Sequence, residues 1–326
     1  MKLIIQIPCF NEEKTLPLTL SDLPRKLSGF DSVEWLVIDD GSEDGTAEIA
    51  KANGVDHVIR LPQNGGLARA FSKGLEISLA LGADVIVNTD ADNQYQGNDI
   101  EKLVAPVLAG EAQITVGARP IKSIKDFSAI KKGLQRLGSS VVRSLSLTDV
   151  EDAPSGFRAF SREAAMKLNV FSRYTYTLET IIQAGQEGLA IHSVPVGVNP
   201  ATRESRLVKS VAGYVQCSMI TLLRIFVVYR PMRFFMTLAG LSFFAGLVIA
   251  IRYLYFAYIG EGSGHIQSVI LAALLLGSGL LLVVVGLIAD LIAVNRKLLE
   301  KVDWRLCKLE DTIAKRNRSA ADDGEQ

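Results

Sequence analysis

Histidine and cysteine are scarce in this chain, with three of each in 326 residues. Cys9, Cys217 and Cys307 are odd in number and widely spaced, and His57, His192 and His265 are equally scattered. That excludes a disulfide framework and a zinc ligand set read from spacing, and makes a reducing, cytosolic environment the simpler assumption. Charge of one sign is not in excess either. Lysine plus arginine (35) equals aspartate plus glutamate (35), so no net field argues for a nucleic-acid partner and any basic patch must be local. No cleavable leader is expected, because Met1-Lys2-Leu3-Ile4-Ile5 runs directly into a strand pattern.

Two long stretches carry no charge at all, Phe234 to Ile251 and Ile266 to Ala289. Each meets the roughly 20-residue, about 30 Å requirement for crossing a bilayer. They account for a hydrophobic fraction of 48% and a mean hydropathy of +0.25, both high for a soluble enzyme. The connecting Gly260-Glu261-Gly262-Ser263-Gly264 has no lysine or arginine, whereas Arg224, Arg230 and Arg233 precede the first span and Arg296, Lys297 and Lys301 follow the second. Lysine and arginine favour the cytoplasmic side, so both termini are expected there and the loop outside, in an inner cell membrane. Ser242, Gly246, Gly279 and Gly286 are small enough to pack the spans on each other or on a second subunit, which leaves a homo-oligomer open. Val211, Val215, Met219, Leu222, Phe226 and Tyr229 recur at helical spacing just before the first span and read as an interfacial helix.

The part ahead of the spans has a βαβ rhythm. Leu3 to Ile7 and Trp35 to Ile38 read as strands, with a helix from about Glu13 to Leu27 between them, Ala83 to Val87 as another strand and Val194 to Val198 as the last. Polar turns close these strands: Pro8-Cys9-Phe10-Asn11-Glu12-Glu13, Asp39-Asp40-Gly41-Ser42-Glu43-Asp44-Gly45-Thr46 and Asn88-Thr89-Asp90-Ala91-Asp92-Asn93-Gln94. Gln63-Asn64-Gly65-Gly66 opens a helix, where free N–H groups suit an anion. In a parallel sheet such turns share one edge, the edge where ligands collect. Asp90 and Asp92 are the centre of this arrangement. One residue apart, two carboxylates suit a hard divalent cation, Mg²⁺ or Mn²⁺, that keeps sites open for phosphate. Taken alone, the pair also fits a solvated turn.

Together, Pro8-x-x-Asn11-Glu12, Val37-x-Asp39-Asp40-Gly41-Ser42-x-Asp44-Gly45-Thr46, Asn64-x-Gly66 and Asp90-x-Asp92 resemble the family-2 glycosyltransferases of the GT-A fold, over about the first two-thirds of the chain. Within that family the likeness is to the polyprenyl-phosphate glycosyltransferases typified by dolichyl-phosphate mannose synthase. The resemblance implies a donor site of Pro8, Asn11, Glu12, Val37, Asp39, Asp40, Asn64, Gly66, Ala91 and Arg119, and a metal held by Asp90, Asp92 and Gln94. Asp152-Ala153-Pro154-Ser155-Gly156-Phe157-Arg158 matches the Asp-x-x-Ser-Gly-Phe-Arg pattern of the same subfamily, with Asp152 expected to face the acceptor as an orienter or weak base. Arg119, Lys132, Arg136, Arg203 and Arg206 are the set expected at the acceptor phosphate. The last segment departs from the dolichyl pattern, with Pro200 where an arginine stands and Arg206 where a lysine stands, so which arginine meets donor and which acceptor stays open.

The implied fold is α/β: a GT-A, Rossmann-like domain with a mainly parallel sheet over residues 1–206, an interfacial helix over 207–230, a two-helix membrane hairpin over 231–295 and a cytoplasmic tail over 296–326. The implied reaction is transfer of one sugar from a UDP- or GDP-linked donor to a polyprenyl phosphate, undecaprenyl or dolichyl. A phosphate with a second pKa of about 6 is already largely ionised and needs little help from a base, which suits motifs without histidine. Two rivals remain: a transferase acting on a lipid-linked saccharide or polysaccharide, against which the chain lacks Gln-x-x-Arg-Trp, and a membrane scaffold that kept a nucleotide-binding domain without chemistry. The tail from Leu298 to Lys315 reads as amphipathic and Ser319 to Gln326 as disordered.

Overall fold

The structure, a computed structural model, describes residues 1–120, 143, 148–170, 176–200, 220, 223–224 and 226–324, with side chains as far as residue 313. These divide into two compact units, Met1–Ser218 with Trp304–Gln326, and Met219–Asp303.

The first unit is built on a seven-stranded sheet. In chain order the strands are β1 (Lys2–Cys9), β2 (Ser32–Asp39), β3 (His57–Arg60), β4 (Val85–Asn88), β5 (Ile114–Ala118), β6 (Arg158–Ser161) and β7 (Ile191–Pro195), and their order across the sheet is β3-β2-β1-β4-β6-β5-β7. The strands β3, β2, β1 and β4 pair in parallel, as do β5 and β7. β6 is inserted antiparallel between β4 and β5. Because β6 runs the other way, its first residue, Arg158, lies at the edge where β1, β2, β4 and β5 end. The strands of the middle are apolar on both faces, as buried parallel strands are; Leu3, Ile5, Ile7, Val37, Val85 and Val87 lie in one core cluster with Leu16, Leu20, Ile100 and Leu103.

Among the described residues ahead of the second unit the helices are α1 (Leu16–Asp22), α2 (Thr46–Ala52), α3 (Leu67–Ala80), α4 (Ile100–Leu108), α5 (Arg162–Lys167) and α6 (Thr177–Gln186). The first is shorter than its apolar spacing predicts. Pro17 sits in its first turn, and Pro24 pushes Leu23 into an extended conformation, which ends the helix. The last strand begins three residues earlier than expected, because Ile191 pairs with Ile114 and carries the register through to Ala118 and Pro195.

The second unit contains α7 (Pro231–Tyr258) and the greater part of α8 (Ile266–Gly324). At 28 residues α7 is about 42 Å long. Both helices are long and apolar enough to cross a bilayer, and both expose large apolar side chains, Leu241, Phe244 and Leu247 on one and Leu274, Leu281 and Leu291 on the other. A surface of that composition belongs in lipid, which makes this a membrane protein. The small residues pack the two helices on each other. Gly279 lies against Phe243, Gly246 against Leu276 and Gly286 against Phe235, while Ser242 Oγ donates to Leu275 O (2.7 Å) and lies 2.9 Å from Ser278 Oγ. The helix α8 continues through Ser319–Gly324, where composition alone predicts disorder. Its end belongs to the first unit: Arg162 pairs with Asp311, and Lys167 Nζ lies 5.3 Å from the centre of the Trp304 ring.

Candidate active site

The turns after β1 and β2 are cross-braced. Asn11, at φ 55°, receives Glu43 N on its Oδ1 (2.9 Å) and donates its own N–H to Ser42 Oγ (2.9 Å). Glu12 N donates to Thr46 Oγ1 (2.9 Å), and the Glu12 carboxylate accepts from Thr15 Oγ1 (2.6 Å). Gly41, at φ +71°, lies so close to Gln63 that a β-carbon would come within 2.7 Å of its carbonyl carbon. Asp40 uses both oxygens on the neighbouring loop, accepting Gly65 N (3.0 Å) and Gly66 N (2.7 Å). The N–H groups expected to be free for an anion at Gly65-Gly66 are therefore taken from within the protein, by Asp40 and, at Gly66, also by Asn64 Oδ1 (3.1 Å). Asp39 is different. Its Oδ1 accepts Ser42 N (2.9 Å), but its buried Oδ2 accepts no hydrogen bond and lies 3.5 Å from Arg60 Nε. Pro8 and Val37 close this end of the strands and are buried.

Asp90 and Asp92 follow β4 in a loop fastened from several sides. Thr19 Oγ1 donates to Ala91 O (3.0 Å), Gln94 N donates to Asp92 Oδ1 (3.1 Å), and Asn199 N donates to Gln94 O (2.9 Å). Burial first, and then the charge of Asp92, push the Asp90 carboxyl up to about 7, against the pull of Arg119 and Arg158. A divalent cation would relieve the crowding that raises the Asp90 carboxyl, and Asp90, Asp92 and the amide oxygen of Gln94 would make an oxygen donor set that leaves positions for water and phosphate. Among the described residues no third His, Cys, Asp or Glu joins them, so the fit is to such an open site rather than to a closed cage.

Arg119, just beyond β5, and Asp152 form a side-on pair: Nε to Oδ2 at 2.7 Å and Nη2 to Oδ1 at 3.1 Å. Arg119 Nη1 is 3.5 Å from Gln94 Oε1, so the pair adjoins the Asp90–Gln94 loop. Lys132, Arg136, Arg203 and Arg206 lie outside the described residues. Asn199 is tied to the Asp90–Gln94 loop, its Nδ2 donating to Asn93 O (3.1 Å).

Several residues here carry no expected role. Asn88 Nδ2 donates to Gly156 O and to Tyr176 Oη, both 2.8 Å, and accepts Gln6 Nε2 on its Oδ1 (2.9 Å). Tyr176 stacks on Phe71 with ring centres 3.8 Å apart, and Tyr95 Oη accepts Gly156 N (3.1 Å). Arg158 is wholly buried. A glutamine inside the apolar run Leu3-Ile4-Ile5-Gln6-Ile7 was the visible signal for the first of these, because a polar side chain in a buried strand needs a partner.

Residues 4–168 match the model of the family described as glycosyl transferase family 2. The chain belongs to this family. It is 32% identical over 212 residues to the UDP-N-acetylglucosamine--dolichyl-phosphate N-acetylglucosaminyltransferase of Methanococcus voltae, a match that covers 58% of this chain and 82% of that protein. It is 27% identical over 224 residues to the undecaprenyl-phosphate mannosyltransferase of Micrococcus luteus, covering 65% of this chain and 90% of the other. In fold it is similar to glucosyl-3-phosphoglycerate synthase from Mycobacterium tuberculosis, crystallised with Mn²⁺, UDP and glucosyl-3-phosphoglycerate, with a TM-score of 0.55 and 22% identity over 69% of this chain and 78% of that one. The chain is a glycosyltransferase.

Proposed function

We propose that the protein moves one sugar from a nucleotide-sugar donor to the phosphate of a membrane polyprenol, with inversion at the anomeric carbon and release of the nucleoside diphosphate. The observation that carries this reading is the convergence, at one sheet edge, of the cross-braced turns after β1 and β2, the Asp90–Asp92 pair and the Arg119–Asp152 pair, in a chain with two bilayer-length helices. Relatives named for dolichyl and undecaprenyl phosphate support the acceptor class.

In this reading Asp39 Oδ2, the buried acceptor without a hydrogen bond, takes an N–H of the nucleobase, and the turns at Asn11–Glu12 and Asn64–Gly66 line the nucleotide beside it. Asp90, Asp92 and Gln94 hold Mg²⁺ or Mn²⁺, which when bound supplies a Lewis acid for the charge gathering on the diphosphate. Arg119 positions a phosphate next to them, and together with the arginines at 203 and 206 and the basic residues at 132 and 136 it meets the lipid phosphate. An acceptor oxygen, already ionised, forms the new bond to the anomeric carbon as the bond to the diphosphate breaks, and the electron pair leaves with the diphosphate. The catalytic unit and both termini face the cytoplasm, following the arginine and lysine asymmetry around the spans.

The test is nucleoside diphosphate release by the full chain in lipid nanodiscs, with UDP-glucose, UDP-N-acetylglucosamine and GDP-mannose each offered against undecaprenyl and dolichyl phosphate. One donor is expected to react, only with a polyprenyl phosphate and only with divalent metal. Release that ignores the lipid, or transfer only to a lipid-linked saccharide, contradicts the reading.

A further inference from the structure

Asp152 is the natural candidate for a base at the acceptor, being an acidic residue on a tight turn next to a phosphate-positioning arginine. Its surroundings give it different work. The side chain is 1% exposed, and both carboxylate oxygens are engaged by one guanidinium, Oδ2 by Arg119 Nε and Oδ1 by Nη2. The backbone N–H of Arg119 reaches Oδ2 as well, at 3.3 Å. A side-on fork of this kind fixes the plane and the reach of an arginine. What it leaves for other work is the second N–H of Nη2 and both of Nη1, and Nη1 is the nitrogen beside Gln94 Oε1 in the Asp90–Gln94 loop.

The turn that carries Asp152 is itself held from inside. Arg158 donates Nη2 to Ala153 O (2.7 Å), Nε to Ser155 O (2.8 Å) and Nη1 to Thr180 Oγ1 on α6 (2.6 Å). All three acceptors are neutral oxygens, so a fully buried cation is committed to holding backbone and a helix. Burial pulls its guanidinium down to about 10, against the opposing pull of Tyr176, Tyr95, Asp152 and Asp90, which leaves it charged at neutral pH. Burying such a charge is costly unless its donors are satisfied, and here all three bonded nitrogens are. Ser155 N closes the turn on Asp152 O (3.1 Å), and Tyr95, Asn88 and Tyr176 fasten its far end at Gly156.

We propose that Asp152 acts through Arg119 rather than on the acceptor, and that Arg158 fixes the turn from which Asp152 reaches it. Both are positioning residues, and the group that meets phosphate is Arg119. The proposal rests on the reaction assigned above, in which an ionised phosphate needs no base.

The experiment uses the full chain in nanodiscs with undecaprenyl phosphate and the donor that reacts in the panel. Asp152→Asn and Arg119→Lys are each expected to raise the Michaelis constant for lipid by about tenfold, and the double variant to do no worse than the poorer single one, because residues acting as one unit are non-additive. Arg158→Lys is expected to raise it in the same way, and Thr180→Val, which removes one bond and keeps the charge, by about threefold. A loss of turnover in Asp152→Asn of about 10³-fold with the lipid Michaelis constant unchanged overturns the proposal, as do effects of Asp152→Asn and Arg119→Lys that multiply. A second readout needs neither substrate: the Arg119 Nε–H resonance, identified by its disappearance in Arg119→Lys, is expected to be protected from solvent exchange in the parent and exposed in Asp152→Asn and Arg158→Lys. Protection that survives both substitutions overturns the proposal. If no donor and acceptor pair reacts while the resonance behaves as expected, the assigned reaction fails and the positioning holds.

Discussion

The two halves of the site use their carboxylates in opposite ways. At the turns after β1 and β2, the carboxylates of Asp40, Asp44 and Glu12 accept N–H and hydroxyl groups of their own and neighbouring loops, so charge is converted into shape. Around the ends of β4, β5 and β6, charges meet charges: Asp90 beside Asp92 and Arg119 against Asp152, with Arg158 buried and bonded to the turn that carries Asp152. On the proposed function the first half is a preformed cradle for the nucleotide. The second would be completed by a cation and phosphates, and this is where small shifts should cost most.

The sharpest way to test that contrast is Gly156→Ala. The added carbon would stand 2.9 Å from both Asp90 Oδ1 and Tyr176 Oη, so it must displace the carboxylate. Turnover is expected to fall about 10²-fold while the donor Michaelis constant barely moves, as for a small misplacement at the reacting centre; unchanged turnover would mean that the position of Asp90 is not critical.

In the other half Asp40→Ala should behave in reverse. It leaves the Gly65 N–H without its acceptor and the Gly66 N–H with Asn64 Oδ1 in place of the carboxylate, which costs about 1–3 kcal/mol. Thermal unfolding should therefore come earlier and the donor Michaelis constant should rise, with kcat largely kept. A fall in kcat alone would erase the distinction between the halves.

Smaller again is a pH effect at Asp90. A carboxyl whose ordinary pKa of 3.8 is raised to about 7 on folding binds its proton more tightly in the folded chain. Stability from this group is full below about 4 and is lost as pH rises towards 7. Metal-free parent protein should thus lose melting temperature over that window relative to Asp90→Asn, and Mn²⁺, which takes the place of the proton, should reduce the loss. Parallel curves for the two proteins would remove the case for a strained acid pair.

The least effect is expected in the second unit, where Ser242→Ala deletes a hydroxyl bound to Leu275 O. Bonds of this kind between membrane helices are worth about 0.6 kcal/mol, so unfolding in detergent should shift slightly and kinetics hardly at all.

Much of the cradle could be read from sequence because it is local. Strand ends, the glycine at Gly41 and the Asp39-Asp40 pair are short-range patterns, and parallel pairing brings the turns together whatever the details. The charged half was less legible. That Asp152 meets Arg119 depends on β6 entering antiparallel between β4 and β5, and no residue spacing announces this. Arg158 stood in a recognised motif, yet its burial follows from the same insertion. The expected helix over Glu13 to Leu27 was overlong because its apolar period continues past Leu23, where Pro24 stops the backbone. The two spans were plain from their lack of charge, but the docking of the tail through Asp311 and Trp304 depends on tertiary contacts that periodicity does not encode.

The account turns on a cation held between Asp90 and Asp92, and the direct measurement is Mn²⁺ binding by electron paramagnetic resonance in the presence of UDP. The parent chain should take up Mn²⁺ stoichiometrically, and Asp92→Ala should lose both the bound signal and metal-dependent turnover. An Asp92→Ala protein that binds Mn²⁺ as tightly and turns over as fast as the parent would contradict it.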